Sequence, residues 1–364
     1  MEITKETQKA GDNSQQIQAQ NITYNVGITE ERARAICREE FKCAVKEYTD
    51  EALEKANERE RKFENNFVPR ITNLENAVEQ FREPSFQRTL RKAQIAAACT
   101  DRKSDYRLLT ELLVCHIENK DNLINKLGIE HAIETIDRVD NAALCALSIV
   151  FTINNFFPNS GICKEGLKLL DEIIANILYY KLPSGDDWID HLDQLGLVRI
   201  VNFGNFGKLE ERYFNSLNGY VCVGIKKDSN EYKKACELLA SKNINSSFLI
   251  ENECLENYVR IPVSNKNRVD KIGLCDQEDK FIRSINLEEI RVIEQIFDLY
   301  SNNFDDLQTV QENFTKMWDE YKNLSVVRQW WNNLPIRFDI TKAGRILAYT
   351  NVKRCDPLLP EMKF

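Results

Sequence analysis

The stretch LDQLGLVRI, Leu192–Ile200, changes its period part-way. Up to Leu195 it continues a helical stripe with Trp188 and Ile189, and from Leu197 it alternates, placing Val198 and Ile200 on one face. Gly196 stands between the two periods, where a helix can end in the left-handed region without a Cβ clash. A second stretch, FDITKAGRILAYTN at Phe338–Asn351, runs in the opposite order: an alternating strand end, then Thr341 as cap for a helix carrying Ile346 and Leu347. Each short strand needs a partner for its backbone groups, so Leu197–Ile200 is expected to pair with Phe338–Ile340. Residues 201–337 then form an insertion between them.

Upstream, the pattern is helical. In GITEERARAICREEF, Thr29 can cap a helix whose first turn holds Glu30 and Glu31. Cys37, Phe41, Ala44, Tyr48, Ala52 and Ala56 follow at spacings of three or four, with Glu30/Arg34, Glu51/Lys55 and Glu58/Lys62 in the favourable order, predicting one long amphipathic helix ending near Pro69. Further helices are expected over about 71–82, 85–99, 105–127, 129–155 and 161–180, punctuated at Pro84, Gly128 and Pro158. The segment KLPSGDD at 181–187 marks a boundary. After it come short β-branched or aromatic runs at 197–203, 220–226, 246–250, 258–263 and 336–340, with helices over SNEYKKACELLASKN, 286–301 and 304–332. The expected fold is mainly α with a smaller α+β part: an N-terminal β-strand motif at 1–27, an α-helical domain at 28–182 and an α+β domain at 183–364.

The pairing of LDQLGLVRI with FDITKAGRILAYTN resembles the winged helix, in which one wing strand follows a helix and the other leads through LTxxG into a last helix. The resemblance implies a winged-helix-like second domain with a large insertion in its wing. A DNA reader would need positive side chains there. The helix bearing WIDHLDQL is acidic, whereas Arg337, Lys342, Arg345, Lys353 and Arg354 supply a modest positive surface near the end of the chain. Protein docking fits that pattern better than DNA reading, so these five residues form the candidate partner surface.

Bulk properties narrow the classes. At 364 residues, with 43% hydrophobic and 29% charged residues, the chain is expected to fold as a globular protein of about two domains. A net charge of -8 opposes general nucleic-acid binding. Eleven dispersed cysteines without a CxxC pair point to buried thiols in a reducing cytoplasm, and the N-terminus lacks the pattern of a secretory signal. His116, His131 and His191 show no metal-ligand spacing, so no metal or other cofactor is expected. The apolar segment AALCALSIVFTI at 142–153 falls short of the roughly 20 residues that span a bilayer and reads as a core helix.

Three local patterns could carry chemistry. Asp186, Asp190 and Asp193 share a helical face beside His191, as a metal-dependent hydrolase would require, but they also suit the wet side of a helix buried through Trp188, Ile189 and Leu192. NFGNFGK at 202–208 lacks the order of a phosphate-binding loop and reads as a turn. Trp330 and Trp331 read as a packed pair at a helix end or as a docking surface. No catalytic residue is assigned.

The most distinctive segment is GDNSQQIQAQNITYNVG at 11–27, where Ile17 and Ala19, then Ile22, Tyr24 and Val26, keep the strand period. Strands with Gln15, Gln16, Gln18 and Gln20 can stack in register through side-chain ladders, while docking on the same chain or a flexible tail are the plainer alternatives. Together, KAGDNSQQIQAQNI, GITEERARAICREEF and ITKAGRILAYTNVKR resemble a family of bacterial proteins associated with conflict and anti-phage-defence loci. That resemblance implies a cytoplasmic bacterial protein in anti-phage defence or a related signalling role, and the strand alternation of the first 27 residues adds the expectation of a non-enzymatic component that oligomerises through them. Ile17, Ala19, Ile22, Tyr24 and Val26 are its candidate oligomerisation residues, and its partners are a second copy and another protein. A winged-helix nucleic-acid-binding regulator is the alternative.

Overall fold

The structure is a computed structural model that describes residues 29–362 except 47, 75–76, 120–121, 202–203, 272 and 276–280. The strand motif at 11–27, with Ile17, Ala19, Ile22, Tyr24 and Val26, lies outside the described residues.

The first half is a stack of helices: α1 (Glu30–Ala44), α2 (Asp50–Ile71), α3 (Ala77–Phe81), α4 (Pro84–Cys99), α5 (Lys103–Glu118), α6 (Leu123–Thr135), α7 (Asn141–Asn155) and α8 (Cys163–Ile177). Side-chain caps set many of their starts. The Thr29 hydroxyl accepts from Arg32 N at α1, as expected, and Pro84 opens α4 where its missing N–H costs nothing.

Caps also explain where the expected helices are shorter. The long helix from Thr29 to Pro69 is two, because Thr49 accepts from Ala52 N and starts α2 after α1 has ended at Ala44. Pro69 sits inside the last turn of α2 rather than ending it. Asn122 and Asp140 likewise start α6 and α7, so the runs 105–127 and 129–155 are broken at positions other than Gly128. Gly128 is helical, and a Cβ there would meet Ile346 Cδ1 at 2.9 Å: the glycine permits close helix contact.

The second half begins with α9 (Asp187–Gln194) and β1 (Val198–Ile200). It continues through α10 (Leu209–Ser216), β2 (Ile225–Lys226), α11 (Asn230–Ala240), β3 (Ile250–Glu251), β4 (Tyr258–Arg260), β5 (Gly273–Cys275) and β6 (Phe281–Ser284). It ends with α12 (Leu287–Phe297), α13 (Phe304–Asp319), α14 (Lys322–Asn332), β7 (Phe338–Ile340) and α15 (Lys342–Cys355). The fold is mainly helical, with three small sheets among the described residues.

The expected long-range pairing is present: β1 and β7 run antiparallel with Val198 opposite Ile340 and Ile200 opposite Phe338. The other strands are shorter than their sequence runs. In YVCVGIK, Gly224 has φ +79°, which limits the strand to Ile225–Lys226, and Ser246–Phe248 form a 3-10 turn before β3. The hairpin of β5 and β6 had no expectation attached. The 304–332 run is also two helices, α13 and α14.

One large core extends from Ala33 on α1 to Leu359 beyond α15. Helix α7 is its centre, buried continuously from Ala143 to Ile153. Helix α15 returns from the end of the chain to pack on α5, α6 and α7. A smaller core gathers Cys222 to Tyr300 around the β2–β4–β3 sheet, α11 and α12. No helix among the described residues is long and apolar enough to cross a membrane.

Candidate functional site

The joint between β1 and β7 is the feature that sequence and structure share most closely, and it positions Arg337 and Arg345 of the candidate partner surface. Gly196, at φ +65°, ends α9; Gly196 N and Leu197 N donate back to Asp193 O and Leu192 O. The carbonyl of Leu197 then accepts from Thr341 N at 3.0 Å, while the Thr341 hydroxyl reaches Gly196 O at 2.8 Å. The same hydroxyl caps α15 through Gly344 N at 3.2 Å. A Cβ at Gly344 would stand 1.9 Å from Leu197 O, so only glycine lets the first turn of α15 rest on this turn. Val198 and Phe338 face the core, with Arg199 and Asp339 facing outward.

The five basic residues of the candidate surface separate. Arg337 and Arg345 line one cleft of about 440 Å³ with Arg212 of α10, Asp339, and Asn154 and Asn155 from the end of α7. Arg345 Nε donates to Ile340 O at 3.2 Å, and Arg337 stands 3.9 Å from Asp339. This cleft carries three guanidinium groups against one carboxylate. Lys353 and Arg354 line a different cleft of about 550 Å³, with Arg70, Arg107, Glu111 and Glu361. Both are engaged within the fold. Lys353 Nζ holds Leu359 O and Glu361 at 2.7 and 2.9 Å, and Arg354 grips Asn351 while lying over the Tyr179 ring. Lys342 lies along α6 beside Gly128, and burial lowers its pKa.

Arg212, Asn154 and Asn155 carry no sequence signal because they come from segments that only the tertiary fold brings to the β1–β7 pair. A third cleft, about 480 Å³ between α1 and α2, has Arg34, Arg38 and Arg61 with Glu60 and Glu64. Burial, with the neighbouring Glu64 charge, pushes Glu60 up to about 7.

The remaining sequence candidates have structural places. Asp186, Asp190 and Asp193 are exposed, and Asp193 accepts from Ile200 N at 3.2 Å, bracing β1. Among the described residues no group of three or more His, Cys, Asp or Glu is placed to hold a metal. His131 Nε2 lies 2.9 Å from Leu195 O at the end of α9, and His191 accepts from Asp140 N at 3.3 Å. His116 is fully buried beside Thr89, and burial pushes it down to about 4. Trp330 and Trp331 pack inward: their indole N–H groups donate to Pro183 O and Gly207 O.

A protein-family model described as ":-like" matches residues 27–357. The chain belongs to that family. Its matched region runs from just before the Thr29 cap to just after α15, and so includes the β1–β7 pair and the segment between those strands. Comparison with curated proteins gave no match, and comparison with solved structures gave none.

Proposed function

We propose that the protein is a non-enzymatic, oligomerising component of a bacterial anti-phage defence or related conflict system in the cytoplasm. In this reading residues 14–26 drive assembly, and the folded body presents a partner surface. The observation that carries it is the strand alternation of Ile17, Ala19, Ile22, Tyr24 and Val26 in a glutamine-rich segment, lying ahead of the region that the family shares. The body adds support. Its histidines bond to carbonyls, an amide or a threonine, and its buried acids face arginines or an amide, arrangements that hold a scaffold together.

Within that reading, the cleft of Arg212, Arg337 and Arg345 suits an acidic segment of a protein partner. The test is a double variant, Ile17→Asp with Ile22→Asp, followed by sedimentation. The expected result is loss of the high-mass species with an unchanged far-ultraviolet circular dichroism spectrum. An unchanged mass distribution refutes the reading.

The same cleft favours a second reading, a nucleic-acid-binding regulator, because its positive charge lies beside the β1–β7 pair that this reading takes as a wing. The exposed Asp187, Asp190 and Asp193 on α9 oppose it, since that helix would have to approach phosphates. Salt-sensitive retention of duplex DNA that weakens in Arg337→Ala would support this second reading. No retention at low salt removes it.

A further inference from the structure

The cleft of about 480 Å³ between α1 and α2 has its charges in layers. Helix spacing sets them. On α1, Arg34, Arg38 and Lys42 recur at four-residue steps along one edge, with Phe41 buried beside them. On α2, Asn57, Arg61 and Asn65 make the opposite edge at the same step, while Glu60 and Glu64, also four apart, are buried between the two helices.

The two carboxyl groups are served unequally. Glu64, 2% exposed, receives Arg34 at 3.0 Å and Arg38 at 3.7 Å. Glu60 is 4% exposed, and among the described residues it has one hydrogen bond, from Gln94 Nε2 at 3.4 Å, and no ion pair. That amide is already held by Cys37 O at 2.7 Å, and Gln94 Oε1, fully buried, accepts from no group among the described residues. The floor is short of donors. The rim has the opposite want: Lys42 and Arg61 are exposed without an ion pair among the described residues, and the Arg38 side chain is 64% exposed.

A buried carboxyl below and free cations above complement a molecule with an ammonium at one end and a carboxylate at the other. We propose that this cleft binds a zwitterionic small molecule of the free α-amino-acid class, its ammonium donating to Glu60 and its carboxylate meeting Lys42 and Arg61. An ammonium brings three donors to a floor that lacks them. A simple anion brings none, and a polyamine has to pass Arg38, Lys42 and Arg61 with nothing to offset them. The volume lies within the range of small-molecule sites.

The pH dependence follows from the floor. Burial and the Glu64 charge push Glu60 up to about 7, and an arriving ammonium favours its ionised form. Its other neighbours do not change between pH 6 and pH 8: the guanidinium groups of Arg34, Arg38 and Arg61 stay charged, burial keeps the Cys37 thiol neutral, and Gln94 of α4 does not titrate. Binding therefore strengthens by about tenfold from pH 6 to pH 8, as the ionised fraction of Glu60 grows.

The test is ligand-observed nuclear magnetic resonance of the full-length protein with each of the free protein amino acids at millimolar concentration, and calorimetry for those that bind. The expected result is saturation transfer to at least one of them, absent for its N-acetyl and carboxamide forms, with the stated rise in affinity between pH 6 and pH 8. Glu60→Gln should abolish binding, and Lys42→Ala with Arg61→Ala should weaken it by about tenfold, each with an unchanged circular dichroism spectrum. Absence of binding by every amino acid overturns the proposal, and so does binding that survives Glu60→Gln. Equal binding of the N-acetyl form, an anion site only, or of the carboxamide form, a cation site only, overturns it as well. The derivatives decide on the wild type even where a variant does not fold. Residues 14–26 and the Arg212 cleft take no part, so a chain that fails to oligomerise leaves this test intact.

Discussion

The two cores satisfy their buried polar groups in different ways. In the large core, hydroxyls often bond within their own helix: Thr89 to Ser85 O, Thr110 to Tyr106 O, Ser148 to Leu144 O and Thr350 to Ile346 O. In the small core the bonds cross between segments. Asn252 holds the carbonyls of Cys222 and Val223, the Tyr300 hydroxyl accepts from Ile261 N at 2.7 Å, and Arg260 reaches Ile261 O and Glu253. Helices close their own backbone ladder, so a large helical core needs little outside help. Strands of two or three residues close almost none of theirs, and their sheet depends on side chains brought from elsewhere.

The largest expected effect lies in the large core. Phe151 is buried against Phe156 and Tyr349, and Phe151→Ala should cost about 3–5 kcal/mol in denaturant unfolding followed by circular dichroism. A smaller loss would mean that α7 is not its centre.

Glu60 is the large core's exception, since its carboxyl has a distant bond from Gln94 at 3.4 Å and a like charge beside it. Its folded pKa, about 7, is raised above the ordinary value of 4.5, so the folded state holds the proton more tightly. That contribution is fully present below the unfolded pKa and is lost as pH rises through 7. Glu60→Gln, neutral throughout, should gain on the wild type as pH rises from the unfolded pKa through the folded one and keep that gain above it, by on the order of 2 kcal/mol at pH 8 and nothing at pH 4. Thermal midpoints measured across that range check it, and a pH-independent difference contradicts it.

The last pair tests the contrast directly. Tyr300→Phe leaves the Ile261 amide buried without its acceptor and should cost about 1–3 kcal/mol, seen as faster hydrogen exchange within 222–300. Thr110→Val removes only a hydroxyl that bonds a carbonyl of its own helix, and should cost under about 1 kcal/mol. Equal costs for these two would remove the distinction between the cores.

What the sequence revealed follows from how local each cause is. The β1–β7 joint was legible because its determinants are adjacent residues: Gly196 for a left-handed end, Thr341 for a cap, and alternation on both sides. The core character of 142–153 was legible for the same reason. The break between α1 and α2 was missed because the apolar spacing continues through it, although Thr49 carries the signal of a cap followed by Asp50 and Glu51. Gly128 was misread because close contact with Ile346, more than two hundred residues away, leaves the same glycine as a turn would. In the candidate site, Arg337 and Arg345 were legible as a basic excess near the chain's end. Their association with Arg212, and the separate employment of Lys353 and Arg354, depend on the packing of α15.

On the proposed reading, assembly resides in residues 14–26 and the folded body does not need them. The most direct measurement is the solution mass, by light scattering, of the full chain beside a chain starting at Gly27, with circular dichroism on both. The expected result is a high-mass species for the full chain alone, with identical helical content and thermal midpoints for the two bodies. Equal masses, or a shortened chain that loses its fold, would contradict it.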